Sequence, residues 1–433
     1  MQAVIMAGGK GTRLATVTQN MIPKPMVPFC GKPLIEMAIE QLAANGIRDV
    51  ALCVGYLGDQ IVSYFSERTI PGVSLHFVAE PEPLGTAGAL YYAKEFLSED
   101  FLFVYGDLVF DVDLERMFRF HRSKGGLATL FVHSNSHPYD SDLVRCDDEG
   151  RVLGFDFKDR DQNCDYANLV CAGMAIFSRE VFPFLPEPKK TSLEKDLLAD
   201  ALRSGKEVWS YRSPEYVKDV GTPGRLAEAE REWASGKIAA KNLKNRQKAI
   251  FLDRDGTINE YDGLVTSPDQ IRLIPGTAEA IRQINRSGYL AIVTTNQPVI
   301  ARGECSLEEL GSIHRRLDTL LGNEGAYLDD LIFCPHHPDK GYPGEIPQFK
   351  IECDCRKPKP GMLMSAAEKY NIDLNASWMI GDAEMDVAAG INAGTQTALV
   401  HSRATKENFD VRPTLNCERL IDAVRILLDE EKP

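Results

Sequence analysis

The sequence predicts an α/β protein made of two doubly wound domains, and three observations carry that reading. Short apolar segments alternate with amphipathic helical stretches in two separate series, a charged, alanine-rich stretch divides them, and 433 residues exceed what one ordinary hydrophobic core serves. In the first series AVIMA, DVALCVG, VSLHFVA and DFLFVYGD read as short buried strands. PLIEMAIEQLAANGI between them repeats apolar residues at spacings of three and four, the pattern of a helix with one buried face. Such alternation gives a mainly parallel sheet covered on both sides. The pattern fades after Val220-Gly221-Thr222-Pro223, where RLAEAEREWASGKIAAKNLKNRQ begins. The expected division is a domain at 1–230, a linker at 231–247 and a domain at 248–433. The second series runs through KAIFLDRDG, TAEAIRQINRSGY, YLAIVTTN and SWMIGDAEMD. Ligands in such sheets gather beyond the carboxyl ends of the strands, and each acidic motif falls at one.

With 44% apolar and 26% charged residues the composition is that of an ordinary globular protein. The formal net charge of −14 argues against nucleic acid or an anionic membrane as the main partner, because the field repels both. Small-molecule substrates are expected instead, and anionic ones must be captured by local cations. Only Ala3 to Ala7 is apolar before the first glycines, so no signal peptide is expected, and no run approaches the length of a membrane span. Ten cysteines are too sparse for a disulfide scaffold, and a reducing cytoplasm is the expected location.

Gly8, Gly9 and Gly11 follow the first strand, so backbone N–H groups can approach a polyphosphate without side chains in the way. Arg13 adds a forked phosphate donor, and Lys24, between prolines in IPKPM, adds a cation on a stiffened segment. The spacing fits neither a Walker loop nor the dinucleotide fingerprint. AGGKGTRL followed by IPKPMVPFCGKPL resembles the signature of sugar-1-phosphate nucleotidylyltransferases, and the likeness extends over roughly the first 225 residues.

That resemblance implies a Rossmann-like nucleotidyltransferase sheet. Gly8, Gly9, Gly11, Thr12 and Arg13 would hold the nucleoside triphosphate, and Lys24 would offset charge during transfer. EPEPLGTAGAL resembles the base-contacting segment, which puts Gly85 and Thr86 near the base. Asp107 in FLFVYGD and Asp219 in VKDVGTP match magnesium-binding positions, and Lys158 in GFDFKDR matches the lysine that holds the sugar phosphate. Ala15 stands where the family usually has proline, and Asp156-Phe157-Lys158 replaces Glu-Lys-Pro.

In FLDRDGTIN, Asp253 and Asp255 lie one residue apart after a strand-like run. Such a pair can place one carboxylate for attack on phosphorus and the other for proton transfer, both near a divalent cation. Further on, Cys334 and His336 are paired two apart, as are Cys353 and Cys355. Two such pairs joined by a loop can close a tetrahedral zinc site, with His337 a rival to His336 on spacing alone.

DRDGT after a strand resembles the opening motif of the haloacid dehalogenase superfamily of phosphatases, from about Lys248 onward. The resemblance implies a Rossmannoid domain with a structural zinc loop, in which Asp253 forms an aspartyl phosphate and Asp255 serves as acid and then base. Thr295 would hydrogen-bond the phosphoryl oxygens and Lys357 would offset their charge. Asp382 would complete a magnesium site with Asp253 and the Asp255 carbonyl, and Asp386, one helical turn onward, would orient Lys357 or its neighbours. The cysteine loop resembles that of heptose 1,7-bisphosphate 7-phosphatases and the related histidinol phosphatases. On that likeness Asn296, Gln297, Arg302 and Arg356 would contact the sugar or its remaining phosphate. Pro298-Val299 stands where Ser-Gly is usual.

A phosphatase that strips the 7-phosphate leaves the sugar 1-phosphate that a nucleotidylyltransferase consumes, so the two halves are expected to catalyse consecutive steps. The expected product is a nucleotide-activated heptose, GDP-D-glycero-α-D-manno-heptose, for surface polysaccharide or glycoprotein; guanine and the α anomer are implied by the resemblance alone. Two alternatives are a mannose 1-phosphate guanylyltransferase or other sugar nucleotidylyltransferase joined to a histidinol-phosphate-type phosphatase, and a non-catalytic sugar-nucleotide sensor.

Overall fold

The structure, a computed structural model, describes residues 1–9, 11–161, 164–400 and 410–429. The chain forms two compact units. The first comprises Met1–His133, Val144–Asp156 and Cys171–Asn242; the second comprises Ser134–Leu143, Phe157–Val170 and Leu243–Pro433.

The first unit is built on a nine-stranded sheet among the described residues. At its centre β1 (Gln2–Ala7) runs parallel to β2 (Asp49–Val54) on one side and β4 (Phe101–Tyr105) on the other, and β2 runs parallel to β3 (Ser74–Ala79). These strands are covered on both faces, which is why they read as continuous apolar runs. Helix α1 (Leu34–Ala44) buries Leu34, Ile35, Ala38, Ile39 and Leu42. Ile35, Ala38, Ile39 and Leu42 join one cluster with Ile5, Leu52 and Val104. Strand β6 (Val170–Phe177) adds antiparallel to β4, so the sheet is mixed. Strands β5 (Leu108–Asp111) and β7 (Tyr216–Asp219) form a separate antiparallel ribbon. Helix α2 (Leu114–Lys124) is capped by the Asp113 side chain, which accepts from the Arg116 N–H. Beyond β7, Thr222 caps α3 (Pro223–Ala234) in the same way, with Pro223 in the first turn where its missing N–H costs nothing. Residues of α3 and of α4 (Lys237–Ala240), among them Leu226, Ala229 and Ile238, are buried with Phe29 and Val109.

Among the described residues the second unit holds a six-stranded, all-parallel sheet in the order β10-β9-β8-β11-β12-β13. These are β8 (Lys248–Leu252), β9 (Tyr289–Asn296), β10 (Asp330–Cys334), β11 (Trp378–Gly381), β12 (Gln396–Val400) and β13 (Leu415–Cys417). Alternation along β8 shows how both faces are filled. Ile250 and Leu252 pack with Ile281 and Ile284 of α5 (Thr277–Arg286), Leu310, Ile313 and Leu317 of α7 (Leu307–Asn323), and Val424 of α10 (Leu420–Asp429). Ala249 and Phe251 face Leu363, Ala366 and Tyr370 of α8 (Gly361–Tyr370). Phe251 is fully buried there, and truncating it to alanine would cost about 3–5 kcal/mol. Ser306 and Glu309 form a capping box at the start of α7. The two excursions of this unit pack on α7, where Tyr166 N–H donates to Thr319 Oγ1 (3.0 Å) and Asn168 N–H to Asp318 Oδ2 (3.0 Å). Among the described residues no helix is long and apolar enough to cross a membrane.

Candidate active sites

In the second unit Leu252 stands beside Val293 of β9 and Ile380 of β11 in register. The residues that follow these three strand ends therefore emerge at one edge of the sheet. Asp253 leaves β8 there, its N–H donating to Ile380 O (2.9 Å). Lys357, 2% exposed, donates its Nζ to Asp253 Oδ1 (2.6 Å) and to Thr294 O (2.7 Å), and lies 2.6 Å from Asp386 Oδ1. Burial works against the Lys357 charge, but Asp253 and Asp386 outweigh it and hold its pKa above the ordinary lysine value. Burial raises Asp253 to about 7, against the pull of Lys357 and with added push from Asp386 and Asp255.

Asp386 also accepts the Ala383 N–H (3.1 Å) at the start of α9 (Glu384–Ala393). A ligand oxygen from each of Asp253, Asp382 and Asp386 lies within 4.8 Å of the others. This oxygen-only donor set suits a hard divalent cation such as magnesium. It includes Asp386, which the sequence assigned only to Lys357.

Asp255 points into a different network. Arg254 reaches both its oxygens (2.9 and 2.8 Å), Gln297 Nε2 donates to Oδ2 (3.0 Å) and Asn259 Nδ2 to Oδ1 (3.0 Å). Burial would raise the Asp255 pKa, yet Arg254 and these donors bring it below the ordinary carboxylate value. Gln297 further donates to Thr295 Oγ1 (2.9 Å) and accepts from Arg254 Nη2 (3.1 Å), tying the motif after β8 to the one ending β9. Asn296 accepts the Lys357 N–H and donates to the Lys357 carbonyl, both at 3.0 Å. Sequence reasoning missed Arg254 and Asn259. Their signal was position, since a basic residue between two acids has a ready carboxylate on either side.

In the loop after β10 the sulfurs of Cys334, Cys353 and Cys355 lie 3.2 to 3.5 Å apart, and His336 Nδ1 lies 3.4 Å from Cys355 Sγ and 3.7 Å from Cys334 Sγ. Disulfide sulfurs sit at about 2.05 Å, so these are free thiols. A tetrahedral zinc with bonds of about 2.3 Å needs sulfur edges of about 3.8 Å, close to what is found. The four residues could therefore hold a metal ion, with His336 as the nitrogen donor. His337 instead faces Arg302 Nη2 (3.5 Å) and Asp339 Oδ2 (3.8 Å). Arg356 Nη1 donates to the His336 carbonyl (3.1 Å).

In the first unit the glycines follow β1. A Cβ on Gly8 would fall 1.9 Å from Glu80 Oε2, and one on Gly11, at φ +61°, 2.7 Å from the Lys24 Cβ; Gly9 has open space. Lys24 pairs with Asp107 just beyond β4. Pairing of Asp219 with Leu108, and a hydrogen bond from Val220 N–H to Asp107 O (3.0 Å), set the two acids side by side. Asp219 also meets Arg225 Nη1 at 2.6 Å and Arg13 Nη2 at 4.0 Å. Arg225 was not foreseen. Gly85, at φ +82°, is fitted against the Thr191 carbonyl, and Thr86 Oγ1 accepts the Leu193 N–H (2.8 Å), fixing the expected base-contacting turn. The Thr12 side chain lies outside what the structure describes. Lys158 belongs to the excursion Phe157–Val170 of the second unit, where its N–H donates to Asp142 Oδ1 (2.8 Å).

Residues 2–236 match the nucleotidyl transferase family, and residues 354–423 match the HAD-hydrolase-like family. D-glycero-beta-D-manno-heptose-1,7-bisphosphate 7-phosphatase of Pasteurella multocida is 46% identical over 148 residues, which is 34% of this chain and 77% of the relative. The enzyme of that name from Vibrio cholerae is 43% identical over 186 residues, 42% of this chain and 98% of the relative. The crystal structure of HddC from Yersinia pseudotuberculosis matches with a TM-score of 0.47 at 25% identity, over 54% of this chain and 99% of that one. The chain thus belongs at once to the nucleotidyl transferase family and to the family of the heptose bisphosphate phosphatases, and is a bifunctional enzyme.

Proposed function

We propose that the two activities are consecutive steps in making a nucleotide-activated heptose in the cytoplasm, one carried by the unit that ends with Cys171–Asn242 and the other by the unit that includes Leu243–Pro433. The observation that carries this reading is the union of the two families in one chain, because the product of one reaction has the chemistry of the other's substrate.

In the phosphatase domain an Asp253 oxygen attacks the 7-phosphorus of D-glycero-D-manno-heptose 1,7-bisphosphate. The bond from phosphorus to the sugar oxygen breaks, and that oxygen takes a proton from Asp255. A water oxygen then attacks the aspartyl phosphate, Asp255 takes its proton, and inorganic phosphate leaves. Lys357, held by Asp253 and Asp386, offsets phosphoryl charge, and Thr295 donates to a phosphoryl oxygen. Arg254, Gln297 and Asn259 hold the Asp255 pKa below the ordinary carboxylate value, so the proton it gives to the sugar oxygen comes from the bisphosphate, whose 7-phosphate enters protonated.

In the nucleotidyltransferase domain an oxygen of heptose 1-phosphate attacks the α-phosphorus of GTP, and pyrophosphate departs. The products are GDP-D-glycero-α-D-manno-heptose and pyrophosphate. Gly8, Gly9, Gly11 and Arg13 hold the triphosphate, Lys24 offsets charge, and Gly85 and Thr86 flank the base. Asp253 and Asp382 in one domain, and Asp107 and Asp219 in the other, would hold magnesium, which would supply positive charge against the phosphoryl oxygens. Cys334, His336, Cys353 and Cys355 would hold zinc, which would fix the loop that shapes the phosphatase pocket.

The relatives' names specify the β configuration, whereas the α product rests on the likeness of the first half. Phosphate release should therefore be measured with both anomers of the bisphosphate and with histidinol phosphate. Faster turnover of a heptose bisphosphate supports the reading, and faster turnover of histidinol phosphate overturns it.

A further inference from the structure

Two cations share the ring of Tyr342, in the loop between the cysteine pairs. The Arg302 guanidinium lies 4.4 Å from the ring centroid and the Lys350 ammonium 4.8 Å. Lys350 is 8% exposed, and its Nζ has no hydrogen-bond acceptor among the described residues. Glu345 Oε2 lies 3.8 Å from that nitrogen, but it accepts the N–H groups of Gly341 (2.9 Å) and Tyr342 (3.2 Å). Arg302 Nε and His337 Nδ1 are likewise buried atoms without a partner.

Three donors from three side chains thus converge around one ring without acceptors. An ammonium taken out of water without an acceptor is unfavourable, and a second cation on the same ring adds to that cost. A doubly charged anion with several acceptor oxygens relieves both. The surroundings also connect to the reacting centre, because Arg356 precedes Lys357, whose Nζ holds Asp253.

We infer that Lys350, together with Arg302 on the Tyr342 ring, binds a second phosphate group of the phosphatase substrate and so determines preference for bisphosphates. The inference rests on the proposed phosphatase reading and adds to it a residue that neither the motifs nor the resemblance singled out. Lys350 donates to the remote phosphate and takes no part in bond making.

The test compares kcat/KM for heptose 1,7-bisphosphate and heptose 7-phosphate, which differ only in the second phosphate, in the full-length protein. The native enzyme prefers the bisphosphate, and in Lys350→Met the ratio of the two constants falls about 10- to 100-fold, mainly through KM for the bisphosphate. Lys350→Arg, which keeps the charge, retains most of the ratio. An unchanged ratio in Lys350→Met overturns the inference, whether or not both constants fall together. If Lys350→Met does not fold, loss of the ratio in Tyr342→Leu with its retention in Lys350→Arg supports it, and an unchanged ratio in Tyr342→Leu overturns it. Native enzyme that hydrolyses both substrates without preference also sinks it but leaves the phosphatase reading standing, whereas failure to hydrolyse either one sinks that reading itself.

Discussion

Gly256 sits so close to Asp382 that a Cβ added to it would fall 2.2 Å from Oδ2. Its φ of +89° is also one that side chains with a Cβ seldom adopt. The glycine of DRDGT is therefore needed so that the turn after β8 can let the acid after β11 approach Asp253. Gly256→Ala should destabilise the phosphatase domain by roughly 1–3 kcal/mol and displace Asp382. Phosphate release should fall at least about tenfold while nucleotidyl transfer to supplied heptose 1-phosphate persists. Denaturant titration and the two assays check this, and native phosphatase turnover in the variant would contradict it.

The two sets of acids serve separate reactions, so their losses should separate. Asp253→Asn should lower phosphate release at least about a thousandfold and leave nucleotidyl transfer near native. Lys24→Met removes the cation paired with Asp107 and should lower nucleotidyl transfer about a hundredfold without slowing phosphate release. Loss of both activities in either folded variant would refute independent sites.

Metal content distinguishes the neighbouring histidines. Cys353→Ser should lose bound zinc by elemental analysis and lower the melting temperature of the phosphatase domain, since the other three donors cannot close a tetrahedral site. His337→Ala should keep its zinc, because that ring faces Arg302 and Asp339. Zinc lost from His337→Ala and kept in His336→Ala would reverse the assignment.

How legible the molecule was depends on what each feature leaves in the chain. β1, β2, β4, β8, β9 and β11 are apolar runs ending in glycine, threonine or aspartate, so both the fold class and the strand-end position of Asp107, Asp253 and Asp382 could be read directly. Strand direction leaves no such trace. VCAGMAIF is as apolar as its neighbours, yet β6 runs antiparallel to β4. Side-chain direction leaves little more. Arg254 looks like a solvated charge but has no exposed surface, because the turn after β8 folds it inward onto Asp255. Lys350 reads as loop charge and is buried against Tyr342. His336 and His337 are equivalent on spacing, and only the direction of the loop brings the first to the thiols.

His121 offers a pH test of the first unit away from either site. It is buried on α2, 2.8 Å from Thr129 Oγ1 through Nδ1 and 3.7 Å from Asp100 through Nε2. Burial lowers its pKa, Asp100 opposes and Arg122 assists. The unfolded chain then binds this proton at a higher pH than the fold does, so stability falls as pH drops below about 6.5. His121→Gln should flatten the loss of stability between about pH 7 and 5, read by denaturant titration of the full chain. An unchanged slope would contradict the assignment.

The most direct measurement is mass spectrometry of the products formed from heptose 1,7-bisphosphate with GTP, ATP, CTP and UTP competing. One inorganic phosphate, one pyrophosphate and a GDP-heptose are expected from a single polypeptide, with heptose 1-phosphate appearing first. Accumulation of heptose 1-phosphate with no nucleotide sugar, or a nucleotide sugar formed only from added mannose 1-phosphate, would contradict it.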